Sequence, residues 1–142
     1  MTRLVNTLVV GVDGSEDARV AVAWAAEAAA ALGARVVAVH AVGLLEHERG
    51  DPEASHLRPR LAEWTAGLAH LGEQQVDRRL EQGDPVSVLL RLADEERPDL
   101  VVVGTRGEGE RSGGLLGSTS LALAERCSCP LVIVPRPARR ET

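Results

Sequence analysis

Four short, almost unbroken apolar runs constrain this chain most: Leu8-Val9-Val10-Gly11-Val12, Val36 to Val42, Leu100 to Val103 and Leu131 to Val134. Each is too short for a globular helix and lacks the polar alternation of a sheet with one wet face, so each reads as a strand buried on both sides. Between them lie stretches of helical period. Strands that alternate with helices predict a parallel sheet covered on both faces. Val76 to Leu80 adds a weaker strand, whose arginines and alternation suit a solvated sheet edge. The expected fold class is α/β: one domain over residues 1–142, an open sheet of five parallel strands, and a frayed, flexible tail over 136–142.

Local signals set the helix limits. Asp13-Gly14-Ser15 is turn chemistry, with Ser15 placed to cap a helix and Glu16 and Asp17 in its first turn. That alanine-rich helix shows Val20, Trp24, Ala28 and Leu32 at one spacing and stops at Gly33. Residues 43–56, with charges, Gly50 and Pro52, read as a long mobile loop. Leu57, Leu61, Trp64, Leu68 and Leu71 then predict one amphipathic helix ending at Gly72. Asp84-Pro85 opens another, with Val86, Leu89, Leu90 and Ala93 on one face and Pro98 closing it.

Composition excludes several functions. A net charge of -5 argues against nucleic acid and anionic membrane surfaces. Met1-Thr2-Arg3-Leu4 lacks the apolar stretch of a signal peptide, so a cytoplasmic protein is expected. All 16 basic residues are arginine, which removes a phosphate loop built around a lysine and Schiff-base chemistry. Phe and Tyr are absent, leaving no stacking platform for single strands, and Trp24 and Trp64 read as core residues. Cys127 and Cys129, one residue apart, form neither a disulfide framework nor a zinc-type pair.

The motif with chemistry in it is Gly104-Thr105-Arg106-Gly107, nine residues, then Gly117-Ser118. It follows a buried strand and opens a helix expected over Thr119 to Cys127. A strand, a glycine-rich turn and a helix N-terminus together offer backbone N–H groups and a positive helix end to an anion. A flexible surface loop is the plain alternative. Ligands of open parallel sheets bind beyond the C-terminal strand ends, where strand order reverses. Asp13 also lies at such an end, where it could coordinate Mg²⁺ bridging phosphates or simply form the turn ahead of Ser15.

Taken together, Val9-Val10-Gly11-Val12-Asp13-Gly14-Ser15, Val39-His40-Ala41 and Gly104-x2-Gly107-x9-Gly117-Ser118 resemble the universal stress protein family over nearly the whole chain. The third pattern marks that family's ATP-binding branch. The resemblance implies a Rossmann-like sheet, similar to the adenine nucleotide alpha hydrolases, with the first and fourth strands adjacent. It implies ATP lying across their ends, beside the Asp13 that could hold its Mg²⁺. Asp13 would lie near ribose and phosphates, the Ala41 backbone would meet adenine, and Val103 and Gly104 would flank base and ribose. Gly107, Gly117, Ser118, Thr119 and Ser120 would hold the phosphates, with Arg106 supplying charge. It further implies a homodimer through Leu131 to Val134, acting as a nucleotide-sensing regulator in stress response with an unknown protein partner.

The chain departs from the family at Glu108 and Glu110, which set negative charge beside the phosphates. A carboxylate there costs about 1 kcal/mol or more unless Arg111 or a metal offsets it, so both are expected to face solvent. Slow Mg-dependent ATP hydrolysis and a nucleotide-independent interaction module remain alternatives. No general base or nucleophile besides Asp13 stands out. His47 and His56 share the mobile loop with Glu46 and Glu48, where a metal site is conceivable but not expected, and His70 reads as solvent-facing. His40, at a strand end, reads as a packed histidine.

Overall fold

The computed structural model describes residues 5–43, 56–106 and 117–136. In chain order the elements are β1 Thr7–Gly11, α1 Glu16–Leu32, β2 Arg35–Val42, α2 Leu57–Trp64, β3 Val76–Gln82, α3 Pro85–Glu95, β4 Leu100–Gly104, α4 Ser118–Arg126 and β5 Leu131–Val134. Short 3₁₀ turns at Ala66–Leu68 and Glu73–Gln75 lead from α2 to β3. The strands form one five-stranded sheet in the order β3-β2-β1-β4-β5, every neighbouring pair parallel. The expected open α/β fold is what the chain adopts.

The period of two along each strand divides the core. Leu8, Val10, Val36, Ala38 and Val102 face α1 and the segment after α2. Val9, Val37, Val39, Val101 and Val103 face α3 and α4, against Val88, Leu89, Leu92 and Leu123. With both faces covered, the inner strands cannot tolerate a polar alternation, hence their continuous runs. β3 is an edge strand, as expected. Its charges engage Arg35–Asp77 at 3.2 Å, Arg79–Asp77 at 2.8 Å and Arg79–Glu96 at 2.5 Å.

Caps fall where the turn chemistry puts them. Ser15 Oγ accepts from Ala18 N at 3.1 Å, Gly33 ends α1 at φ 66°, and Asp84 accepts from Ser87 N at 3.0 Å. Helix faces differ from the sequence spacing. α1 buries Ala18, Ala21, Val22, Ala25, Ala26 and Ala29, while Val20, Trp24 and Ala28 are half-buried at its flank and Leu32 is 43% exposed. Methyl side chains let this helix lie close on the sheet, and bulk is pushed aside. α3 likewise buries Val88, Leu89, Leu92 and Ala93, leaving Val86 and Leu90 half-buried.

The single helix expected from Leu57 to Leu71 is broken at Thr65. The Thr65 hydroxyl donates to the Leu61 carbonyl at 2.7 Å and accepts from Arg78 Nε at 2.8 Å, which fixes a fully buried side chain at the break. Leu57, Leu61, Leu68 and Leu71 are nonetheless all buried. The long loop expected at 43–56 falls, from 44 to 55, outside the described residues, as do Glu46, His47 and Glu48. So does the tail from 137 on. Its first residue, Arg136, is described and reaches Asp17 and Glu16.

Candidate functional site

β1 and β4 run side by side, Leu8 opposite Leu100 and Val10 opposite Val102. From β1 the chain proceeds outward to β2 and β3; from β4 it proceeds the other way to β5. Order therefore reverses between β1 and β4, and connections leaving a reversal point diverge to opposite faces, opening a crevice at the C-terminal ends. A cleft occupies that place, with about 620 Å³ between its walls, the open mouth included.

Missing side chains keep the cleft open. A Cβ on Gly11 would stand 3.2 Å from Leu89 Cδ1 and 3.4 Å from Val103 Cγ1, across the floor. A Cβ on Gly104 would stand 2.5 Å from the Asp17 carbonyl oxygen, so glycine there lets the end of β4 approach the α1 backbone. Val39, Ala41, Val88, Leu89 and Val103 make an apolar wall. Asp13, Thr105, Arg106, Thr119 and Ser120 make a polar one.

Of the residues expected in a nucleotide site, Asp13, Ala41, Val103, Gly104, Arg106, Thr119 and Ser120 line one cleft. Asp13 also forms the turn, its Oδ1 accepting from Ser15 N at 2.9 Å. Ser118 is exposed at the start of α4. Gly107, Glu108, Glu110 and Arg111 lie outside the described residues. One detail corrects the expected donor set: the Gly117 N–H is engaged by the Thr105 carbonyl at 2.6 Å. The Ser120 hydroxyl donates to the same carbonyl at 2.8 Å and to the Gly117 carbonyl at 3.2 Å. Both groups close the turn between β4 and α4, so neither hydrogen is left for an anion in this arrangement.

The two helices that start at the cleft end differently. α1 is capped by the Ser15 hydroxyl, whereas the cap residue of α4 is Gly117, which has no side chain to accept from the first-turn N–H groups. Gly117 itself gives α4 no side-chain cap, and the positive end of that helix lies at the cleft, where Thr119 and Ser120 line it.

Sequence reasoning missed one contributor, while Trp64 and His40 are packed as expected. Asp17, taken for a favourable first-turn charge, is only 3% exposed. Its carboxylate accepts from the Thr105 hydroxyl and the Arg106 N–H, each at 2.9 Å, and pairs with Arg136 Nε. Burial by itself would push that carboxyl up. Hydrogen bonds from Arg136 and Thr105, the Arg136 charge and the Arg106 N–H outweigh it and hold the group below its ordinary value. Trp64 covers the turn before α1: Gly14 sits at φ 82°, and a Cβ there would stand 2.7 Å from the indole. His40 Nδ1 lies 2.8 Å from the Val12 carbonyl, and its ring meets Trp64 edge-on with centroids 5.1 Å apart. No local signal marks the buried acid, since Glu16 in the same first turn is exposed.

These features define an open α/β protein with a ligand cleft at its strand-order reversal. A family model described as the universal stress protein family matches residues 5–135, and the chain belongs to that family. It is 36% identical to the "Universal stress protein in QAH/OAS sulfhydrylase 3'region" of Thermus aquaticus, over 91% of this chain and 98% of that protein. It is 33% identical to universal stress protein Rv1636 of Mycobacterium tuberculosis, over 91% and 95%. Among solved structures, a universal stress protein in complex with cAMP superposes with TM-score 0.74 at 32% identity, covering 92% of this chain and 97% of that one. UspA of Lactobacillus plantarum, at TM-score 0.80 and 21% identity over 94% and 99%, has the same fold. No helix among the described residues is long and apolar enough to cross a membrane.

Proposed function

We propose that this chain binds an adenine nucleotide, ATP with Mg²⁺ in the first place, across the ends of β1 and β4. The observation that carries the reading is the largely apolar cleft at the strand-order reversal, with Thr119 and Ser120 of the first turn of α4 in its lining. A purine suits the wall of Val39, Ala41, Leu89 and Val103, and the ribose suits the space by Asp13 and Gly104. Phosphates then face the start of α4, where Ser118 and Thr119 add hydroxyls, and Arg106 adds charge; Gly107 would contribute backbone. Asp13 alone is a thin metal site, and no cluster of three or more metal-ligating side chains occurs among the described residues. Mg²⁺ ordinarily takes one or two carboxylates plus substrate phosphates, so it fits here only as part of the nucleotide complex.

The same cleft supports a second reading, cyclic AMP, because a family member at 32% identity was solved in complex with cAMP. Calorimetric titration with Mg-ATP and with cAMP, with mass spectrometry of the denatured purified protein, separates the two. We expect Mg-ATP to bind with Kd below about 1 mM and to be displaced by cAMP only weakly. A chain that carries no nucleotide and gives no binding heat with either defeats the assignment. Family membership supports a role as a dimeric, nucleotide-sensing regulator in stress response, paired through β5.

A further inference from the structure

We propose that Asp17 is the positioning residue for the anion end of the cleft, with Arg136 as its counter-charge, an inference that rests on the nucleotide reading above. Asp17 does not line the cleft and so does not itself meet a ligand. It acts through Thr105. The Thr105 hydroxyl and the next N–H, that of Arg106, both donate to Asp17 Oδ2 at 2.9 Å. The Thr105 carbonyl in turn receives the Gly117 N–H at 2.6 Å and the Ser120 hydroxyl at 2.8 Å. One buried carboxylate on α1 thus fixes the residue on which the start of α4 hangs. Gly104 allows this, because any side chain there would strike the Asp17 backbone.

A carboxylate beneath a phosphate site is electrostatically adverse, and Arg136 offsets it. Arg136 follows β5 and lies 119 residues away in sequence, with Nε on Asp17 Oδ1 and a second nitrogen 3.7 Å from Glu16. The anion end of the cleft is thereby tied to the segment that leaves the edge strand.

The two possible roles of Asp17 predict opposite signs. If it acted only as a nearby negative charge, Asp17→Asn would tighten ATP. As a positioning residue, its loss loosens Thr105 and weakens ATP. Calorimetry on the full chain should therefore give a Kd for Mg-ATP about tenfold higher in Asp17→Asn, while the Kd for adenosine, which has no phosphate, stays within about twofold. Arg136→Gln should weaken ATP and spare adenosine too. Thr105→Val removes one hydrogen bond and no charge; it should raise the ATP Kd by about threefold, and it keeps the question answerable if Asp17→Asn does not fold. ATP binding unchanged or tighter in Asp17→Asn, or unchanged in Thr105→Val, overturns the proposal. So does an equal loss of ATP and adenosine, which would mark a general structural defect. Failure of the unaltered chain to bind any adenine nucleotide overturns the site reading and this proposal with it, whereas normal binding by all variants overturns only the proposal.

Discussion

At the scale of single residues, the site depends on atoms that are absent. Gly104 is the sharpest case, since the atom facing its missing Cβ is the backbone carbonyl of Asp17 at 2.5 Å, which no side-chain rotation can relieve. Gly104→Ala should therefore force β4 and α1 apart and cost about 1–3 kcal/mol, measured as a lower denaturant midpoint with unchanged slope. An unaltered midpoint would show that the approach is not tight. The glycine was visible in the sequence as part of a motif. Its physical role was not, because the group it accommodates belongs to a residue 87 positions earlier, by subtraction of the two numbers. Asp17 was misjudged for the same reason: a first-turn acid usually faces water, and only its neighbours from β4 and beyond β5 make it a buried one.

At the scale of elements, most boundaries were legible, and the buried faces of α1 and α3 were not. Capping and turn residues act over a few positions, so Ser15, Gly33 and Asp84 could be read directly. The Asp84 cap also carries a pH dependence. Hydrogen bonds from Ser87 hold its carboxyl below the ordinary value of 3.8, so the stability it adds is present above that value and is lost as pH falls through the lower folded-state value. Asp84→Ala should cost about 1 kcal/mol at neutral pH, and its difference from the unaltered chain should shrink in unfolding titrations as pH is taken down from the ordinary value of 3.8. A difference that is constant with pH would remove the carboxylate from the cap. The buried face of α1 was misread because bulk normally marks the inward side. Here close packing on the sheet selects alanine, and Thr65 breaks the next helix through a hydrogen bond from β3 that periodicity does not encode.

At the scale of the whole molecule, strand order puts β5 at one rim of the sheet with Leu131, Val132 and Ile133 half-buried. Val101 N donates to the Pro130 carbonyl, and the alternation of a parallel ladder then turns the amides of Leu131 and Ile133 outward. An apolar edge with free amides favours pairing with a second copy. We expect a dimer by light scattering, and a monomer for Ile133→Pro, a substitution an edge strand tolerates while losing its outward N–H. A variant that stays dimeric at the same concentration would move the interface elsewhere.

The residue pattern alone determined that this chain forms parallel strands alternating with helices, and where most elements begin and end. Those are consequences of period, capping and backbone freedom, all of which act within about a dozen residues. Only the tertiary structure decided that β1 and β4 are neighbours, that the start of α4 hangs on Thr105, and that Asp17 and Arg136 pair across 119 residues. Contacts that distant are fixed by the order in which strands add to the sheet. No local preference records that order.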